Sequence, residues 1–308
     1  MLNPMTDDIR PLAAYAAAFG FILMMVFAAV TFGDSEIVLP EIAAMAVALW
    51  AWREKGWLRQ PEKIFFVPSI TAIIGFAVNL SDLSFTVKIL LVLCLMLIAM
   101  RAIGSNLAPA LATGFLPVVT NATHYSFLIA IFVTTFALML GVMLFKLNRG
   151  VPRDAPVKYK YMLVYLAIHL VWIAITVLAG YPHMAIIPPI TVVVYESLQM
   201  PMYMRKMALK QTAVLTLSAL IGTVLFLAVE NTLLVAVIDL ALIYGLLHLF
   251  EARIPAAYAF PFLPFVFPAE FVPQLPVGAF VVSVFFFSLV LAYKTYERKQ
   301  MANVPAMA

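Results

Sequence analysis

Apolar runs close to the length that crosses a hydrocarbon core, about 20 residues of helix, follow one another with short gaps from Pro11 to Tyr293. With 65% hydrophobic and 11% charged residues among 308, the chain has too little polar surface to fold in water. Lipid must solvate most of it, and no stretch is left for a soluble catalytic domain. The fold class that follows is all-α, a polytopic transmembrane helical bundle. The first run, Pro11 to Phe32, is longer than a signal-peptide core, follows Asp7 and Asp8 and lacks a clear cleavage pattern, so it is expected to be retained. A single cysteine, Cys94, excludes a disulfide framework and a multi-cysteine metal site.

Twelve apolar segments can be drawn: 11–33, 37–52, 64–80, 85–101, 105–120, 125–147, 161–180, 184–198, 211–229, 232–250, 254–268 and 275–293. Proline interrupts the fifth (Pro109, Pro117) and the eleventh (Pro255, Pro261, Pro264, Pro268), which predicts discontinuous or re-entrant helices there. Basic residues gather at Arg53–Lys63, Lys146–Lys160, Arg205–Lys210 and Lys294–Lys299, whereas the alternate turns carry Asp34, Glu36, Asp82, Glu230 and Glu270. If all twelve segments cross, every basic loop falls on one side with both termini. The positive-inside rule makes that side cytoplasmic, in a multi-pass protein expected in a bacterial inner membrane. The net charge of +4 is therefore read as topology, and no nucleic-acid partner is expected.

Displaced by 147 positions, Lys63–Thr120 aligns with Lys210–Phe267 without a gap. Ala110, Ala112, Phe115, Leu116, Pro117 and Val119 recur as Ala257, Ala259, Phe262, Leu263, Pro264 and Val266. Earlier in the unit, Ala72, Ile74 and Gly75 recur as Ala219, Ile221 and Gly222. Two tandem repeats of about six segments follow, residues 1–150 and 151–308. An even number of crossings per unit keeps both copies parallel, related by a pseudo-two-fold axis along the membrane normal.

The second unit carries P-x-x-x-V-V at Pro188–Val193, a basic turn at Pro201–Lys206, S-A-L-I-G at Ser218–Gly222 and P-A-A-Y-A at Pro255–Ala259. The first has T-A-I-I-G at Thr71–Gly75 and A-P-A-L-A at Ala108–Ala112. In these features the chain resembles the HPP family of integral membrane proteins, although Arg253-Ile254-Pro255 and Leu107-Ala108-Pro109 stand where that family has its His-Pro-Pro triplet. The resemblance implies movement of a small anion. In its repeated six-helix units the chain is more distantly similar to aromatic-acid exporters.

The interrupted segments are the best pointers to a site, because a helix broken at membrane depth exposes backbone groups and dipole ends that a polar cavity can use. Around them stand Arg101 and Asn106 in the first unit and His248 and Arg253 in the second, with Thr113 and Tyr258 as further candidate lining residues for a substrate. Snorkelling to headgroups is the competing role for Arg101 and His248, and helix packing for Thr113 and Tyr258. Carboxylates within apolar runs are costly and default to functional hypotheses; Asp239 and Glu41 are the candidates for proton coupling, with an ion pair such as Asp239–Lys88 as the structural alternative. No P-loop, dinucleotide turn, H-E-x-x-H or serine elbow occurs, and neither an enzyme activity nor a cofactor is expected. The expectation is a secondary transporter of a small solute, an anion first. The competing class is a non-catalytic scaffold or partner subunit of a larger membrane complex, and homo-oligomerisation is left open.

Overall fold

The computed structural model describes residues 4–154 and 157–302, with side chains from Leu12 to Gln300; Asp7 and Asp8 therefore lie outside the described side chains. In chain order the helices are α1 (Pro4–Phe32), α2 (Pro40–Ala46, extended by a π turn Val47–Ala51), α3 (Lys55–Leu58), α4 (Glu62–Asn79), α5 (Phe85–Ile103), α6 (Pro109–Val119), α7 (Tyr125–Leu144), α8 (Tyr159–Leu178), α9 (Pro188–Gln199), α10 (Arg205–Ala228), α11 (Thr232–Leu249) and α12 (Leu275–Ala302). Between α11 and α12 the chain forms two 3₁₀ turns, Pro255–Tyr258 and Phe260–Phe265. No strand occurs among the described residues.

Eight of these helices, α1, α4, α5, α7, α8, α10, α11 and α12, are long and apolar enough to cross a membrane, so the chain is a multi-pass membrane protein. Twelve comparable spans are not what the structure has. Segments 37–52, 105–120, 184–198 and 254–268 form short elements; the 11 residues of α6 reach about 16 Å, half the hydrocarbon thickness. Proline stands at the start of all four, Pro109 opening α6 after a helical Ala108. Leu39, Ile187 and Ile254 are extended at φ −117°, −116° and −126°, as residues preceding proline tend to be, and Pro40, Pro188 and Pro255 then start the helical turns. In the last segment Pro261 and Pro264 also lack the N–H groups an α-helix needs, and only 3₁₀ geometry survives.

Two of the segments that hold these short elements nevertheless run from one end of the bundle to the other. Segment 105–122 starts where Lys63 Nζ caps the Gly104 carbonyl at 2.6 Å and ends where Asn79 Nδ2 donates to the Ala122 carbonyl at 2.8 Å, the two ends of α4. Segment 251–266 likewise starts where Lys210 Nζ meets the Glu251 carbonyl at 3.2 Å and ends where Phe265 packs on Phe226, the two ends of α10. One end of the bundle thus collects the basic loops. Among the described residues Lys88 is the one lysine or arginine at the other, acidic end, where Glu36 accepts from the backbone N–H groups of Thr123 and His124.

Long helices form the outer ring and turn large apolar side chains such as Phe27, Ile98, Val133, Leu163 and Val277 outward, as a lipid-facing surface requires. The short elements fill the centre: every residue of α2 and α6 is buried, and α6 packs directly on α9. Close helix approach depends on two glycines. A Cβ at Gly75 would lie 1.9 Å from the Gly114 carbonyl oxygen, and one at Gly222 would lie 2.3 Å from Pro261 Cα, so α4 touches α6, and α10 touches the 3₁₀ segment, backbone to backbone. The halves interdigitate, with α1 packed on α11 and α8 on α5. At the basic end the buried Lys294, paired with Glu297 one turn along the same helix (2.8 Å), ties α12 to α8 through the Tyr161 hydroxyl (3.2 Å) and to α9 through the Leu198 carbonyl (3.3 Å), and Lys160 of α8 holds the other oxygen of Glu297.

Candidate functional site

At the centre of the bundle the starts of α2, α6 and α9 and the first 3₁₀ turn surround one small void of about 10 Å³, lined by Pro40, Glu41, Ala44, Trp57, Pro109, Ala112, Pro188, Pro189, Val192, Ala256 and Ala259. That is roughly the smallest space that holds a single water. The helices α6 and α9 approach it from opposite ends of the bundle, each leading with proline, so the positive ends of two helix dipoles face each other across it. The prolines remove the N–H donors that such termini usually offer. An anion there would feel the field of the helices and find few hydrogen bonds.

Glu41 is the polar exception in this lining. Its side chain is 3% exposed and neither carboxylate oxygen has a hydrogen-bond partner. A carboxylate taken out of water without donor or cation costs several kcal/mol, roughly, and native structures seldom tolerate one unless it has work to do.

A larger cavity lies on each side of the void. The vestibule at the basic end, about 510 Å³, is lined by Glu54, Lys55, Arg59, Asn106, Lys158, Tyr195, Glu196, Arg253 and Pro255 among others. Its cations outnumber its carboxylates. Trp57, carried by the short helix α3, lines both vestibule and void; it is buried, and its indole N–H donates to Glu196 Oε1 at 2.9 Å. The indole is thus the partition between them. The cavity at the acidic end, about 390 Å³, is lined by Asn79, Phe85, Lys88, Asn121, His183, Ile187 and Phe271 among others. Ile187, its innermost wall, directly precedes the Pro188-Pro189 pair that lines the void. A third cavity, an apolar groove of about 540 Å³ on the flank between α1 and α7, faces the lipid side of the bundle.

The sequence-predicted site residues are distributed unevenly over this geometry. Glu41 is central, and Asn106 and Arg253 line the basic vestibule, with Asn106 Oδ1 accepting from the Tyr195 hydroxyl at 3.2 Å. Arg101 and His248 are not brought to any of these cavities: both are exposed, Arg101 lying 5.1 Å from the centre of the Tyr159 ring and His248 stacked beside Tyr244. Thr113 is buried and joined to Thr71 at 2.9 Å, where it stitches α6 to α4. Tyr258 is buried between Phe19 and Trp52 with its hydroxyl unpartnered. Asp239 is fully buried on α11, also without a partner; it borders neither the void nor either flanking cavity. Lys88, its candidate ion-pair partner, instead donates to the Asn79 carbonyl at 2.6 Å at the acidic end.

Sequence reasoning missed Trp57 and the Trp57–Glu196 contact. The signal was present, an apolar Trp57-Leu58 pair within the otherwise charged loop from Arg53 to Lys63, which water-exposed loops seldom carry. His169 is fully buried, with Nδ1 on the Tyr165 carbonyl and Nε2 unpartnered against Phe286, and borders no cavity described above. Among the described residues no group of three His, Cys, Asp or Glu side chains is placed to hold a metal ion. No protein-family model matches the chain, and neither a curated protein nor a solved structure matches it.

Proposed function

We propose that the chain is a secondary transporter of a small anionic solute, with Glu41 as the proton-carrying group at a centre reached alternately from the two ends. The observation that carries this reading is the buried, unpartnered Glu41 carboxyl at a small void between two cavities at opposite ends of the bundle. Discontinuous helices whose ends meet between two vestibules are how transporters build central sites. A carboxyl there needs a proton, or a ligand's cationic or hydrogen-bonding group, whenever water is excluded, and can release it when the void opens. The excess of cations in the basic vestibule favours entry of anions.

The internal duplication belongs to the same proposal. Lys63 and Lys210, 147 positions apart, cap the carbonyls of Gly104 and Glu251, also 147 apart, and both capped residues have positive φ, +65° and +46°. Gly75 against Gly114 and Gly222 against Pro261 repeat the same spacing. The packing of α1 on α11 is mirrored by α8 on α5. These correspondences support two parallel units related by a pseudo-two-fold axis through the void. With the basic end cytoplasmic by the positive-inside rule, both termini are cytoplasmic.

Uptake of nitrite, nitrate and small carboxylates into proteoliposomes, with and without a proton gradient, tests the reading. Saturable uptake of one anion, whose gradient dependence is lost in Glu41→Gln and kept in Asp239→Asn, is the expected result. No flux for any of them sinks it and turns attention to a scaffold or partner-subunit role.

A further inference from the structure

We infer that the cavity at the acidic end is a binding site for a monocarboxylate with an apolar body, held by Lys88. The inference rests on the transport reading only in naming the substrate class of its outer cavity. The site itself is argued from its walls. About 390 Å³ is the size of an ordinary small-molecule pocket, and most of its lining is aromatic or aliphatic: Phe85, Val119, Ile187 and Phe271 surround the space, with His183 stacked flat on Phe271 at 4.2 Å between ring centres. Such walls give little to a bare inorganic anion. They favour a ligand that brings its own apolar surface.

The same lining carries one cation. Lys88 is half-buried and donates a single hydrogen bond, to the Asn79 carbonyl at 2.6 Å, although an ammonium has three donors. Among the described residues it has no carboxylate within salt-bridge distance, while the loops around it at this end carry acidic residues. Arriving anions are therefore selected against by the rim and rewarded only at Lys88. The Asn79 and Asn121 side chains, which hydrogen-bond each other at 3.4 Å, add amide groups on the same wall. One positive charge, two amides and an apolar chamber match one carboxylate group on an apolar body.

Titration calorimetry of the purified full chain in detergent with hexanoate, benzoate, hexanamide and acetate tests this. Hexanoate and benzoate should bind once per chain, with hexanamide, which keeps the body and loses the charge, and acetate, which keeps the charge and loses the body, each at least about tenfold weaker. Lys88→Gln should weaken hexanoate by about tenfold or more, Lys88→Arg should restore most of it, and Val119→Phe, which fills the chamber and leaves the charge, should abolish it. Micelle partitioning is common to all variants and subtracts. Equal binding of hexanoate and hexanamide, unchanged affinity in a monodisperse Lys88→Gln protein, or no binding of hexanoate up to about 10 mM would each overturn the site. Binding without Glu41-dependent flux would leave the site standing and remove the transport reading; flux of an inorganic anion without hexanoate binding would do the reverse.

Discussion

Replacing Gly75 by alanine would put a methyl carbon 1.9 Å from the Gly114 carbonyl oxygen, 2.9 Å from its carbonyl carbon and 2.9 Å from Pro117 Cγ. Ordinary contact needs more than an additional ångström, roughly, and the receiving atoms are backbone and a proline ring, which have no rotamer to change. Nor does α6 have room to retreat: it is buried along its whole length and packed on α9 behind. Overpacking of this kind costs about 1–3 kcal/mol and a rigid receiver puts Gly75→Ala at the upper end; with about 1 kcal/mol returned by alanine's better helix propensity, the net loss is about 2 kcal/mol. Gly222→Ala, 2.3 Å from Pro261 Cα, should lose a similar amount. Gly245→Ala is the internal control, because nothing lies within 4 Å of its added carbon; it should be neutral or more stable by up to about 1 kcal/mol. Equilibrium unfolding in mixed micelles of increasing sodium dodecyl sulfate, followed by tryptophan fluorescence, reads all three. If Gly75→Ala and Gly222→Ala both fall within about 0.5 kcal/mol of the parent, the backbone contact that positions the central elements is refuted.

Trp57→Ala should open the partition between the basic vestibule and the void. In a Cys94→Ser background, Ala44→Cys should be inert to a membrane-impermeant maleimide with Trp57 present and reactive from the basic side without it; equal labelling in both would contradict the partition. Lys294→Met should cost about 3 kcal/mol, because Lys294 and Glu297 are buried, whereas Arg153→Gln, which breaks an exposed pair with Glu62, should cost under about 1 kcal/mol. Equal losses in the detergent titration would show that burial does not set the value of these pairs. Cysteines placed at Arg101 and Asn121 should label from opposite faces of sealed vesicles, since segment 105–122 connects the two ends of the bundle; labelling from one face would make that segment re-entrant.

Composition and the succession of apolar runs determined the solvent, the helical class and the number of hydrophobic segments, because a chain with 11% charged residues cannot satisfy its backbone in lipid except by helices. The prolines of the eleventh segment also announced its interruption, whereas in the fifth Pro109 starts α6 and Pro117 sits inside it without breaking it. What the sequence left undecided was which apolar segments are long helices and which are short central elements. Pro40 and Pro188 act on Leu39 and Ile187 as Pro255 acts on Ile254, yet a single proline near the start of an apolar run reads equally well as an ordinary helix start. Burial decided it: segments packed on every side need no lipid-spanning length, and hydropathy does not distinguish a protein neighbour from a lipid one.

The same limit governed the site. Asp239 and Glu41 look alike in sequence, each a carboxylate in an apolar run, and only the tertiary structure set Glu41 on the void between two helix starts and left Asp239 buried away from it and from both flanking cavities. Arg101 and His248 looked equivalent under the 147-residue displacement and both point outward, because at the end of a long helix the direction of a side chain is fixed by the helix's rotation against its neighbours. Trp57 faces the centre because α3 folds it under the basic loop onto Glu196. Sequence determines which groups lipid makes costly; the packing of α2, α6, α9 and the 3₁₀ segment decides which of them meet, since convergence of residues far apart in the chain has no periodicity to be read.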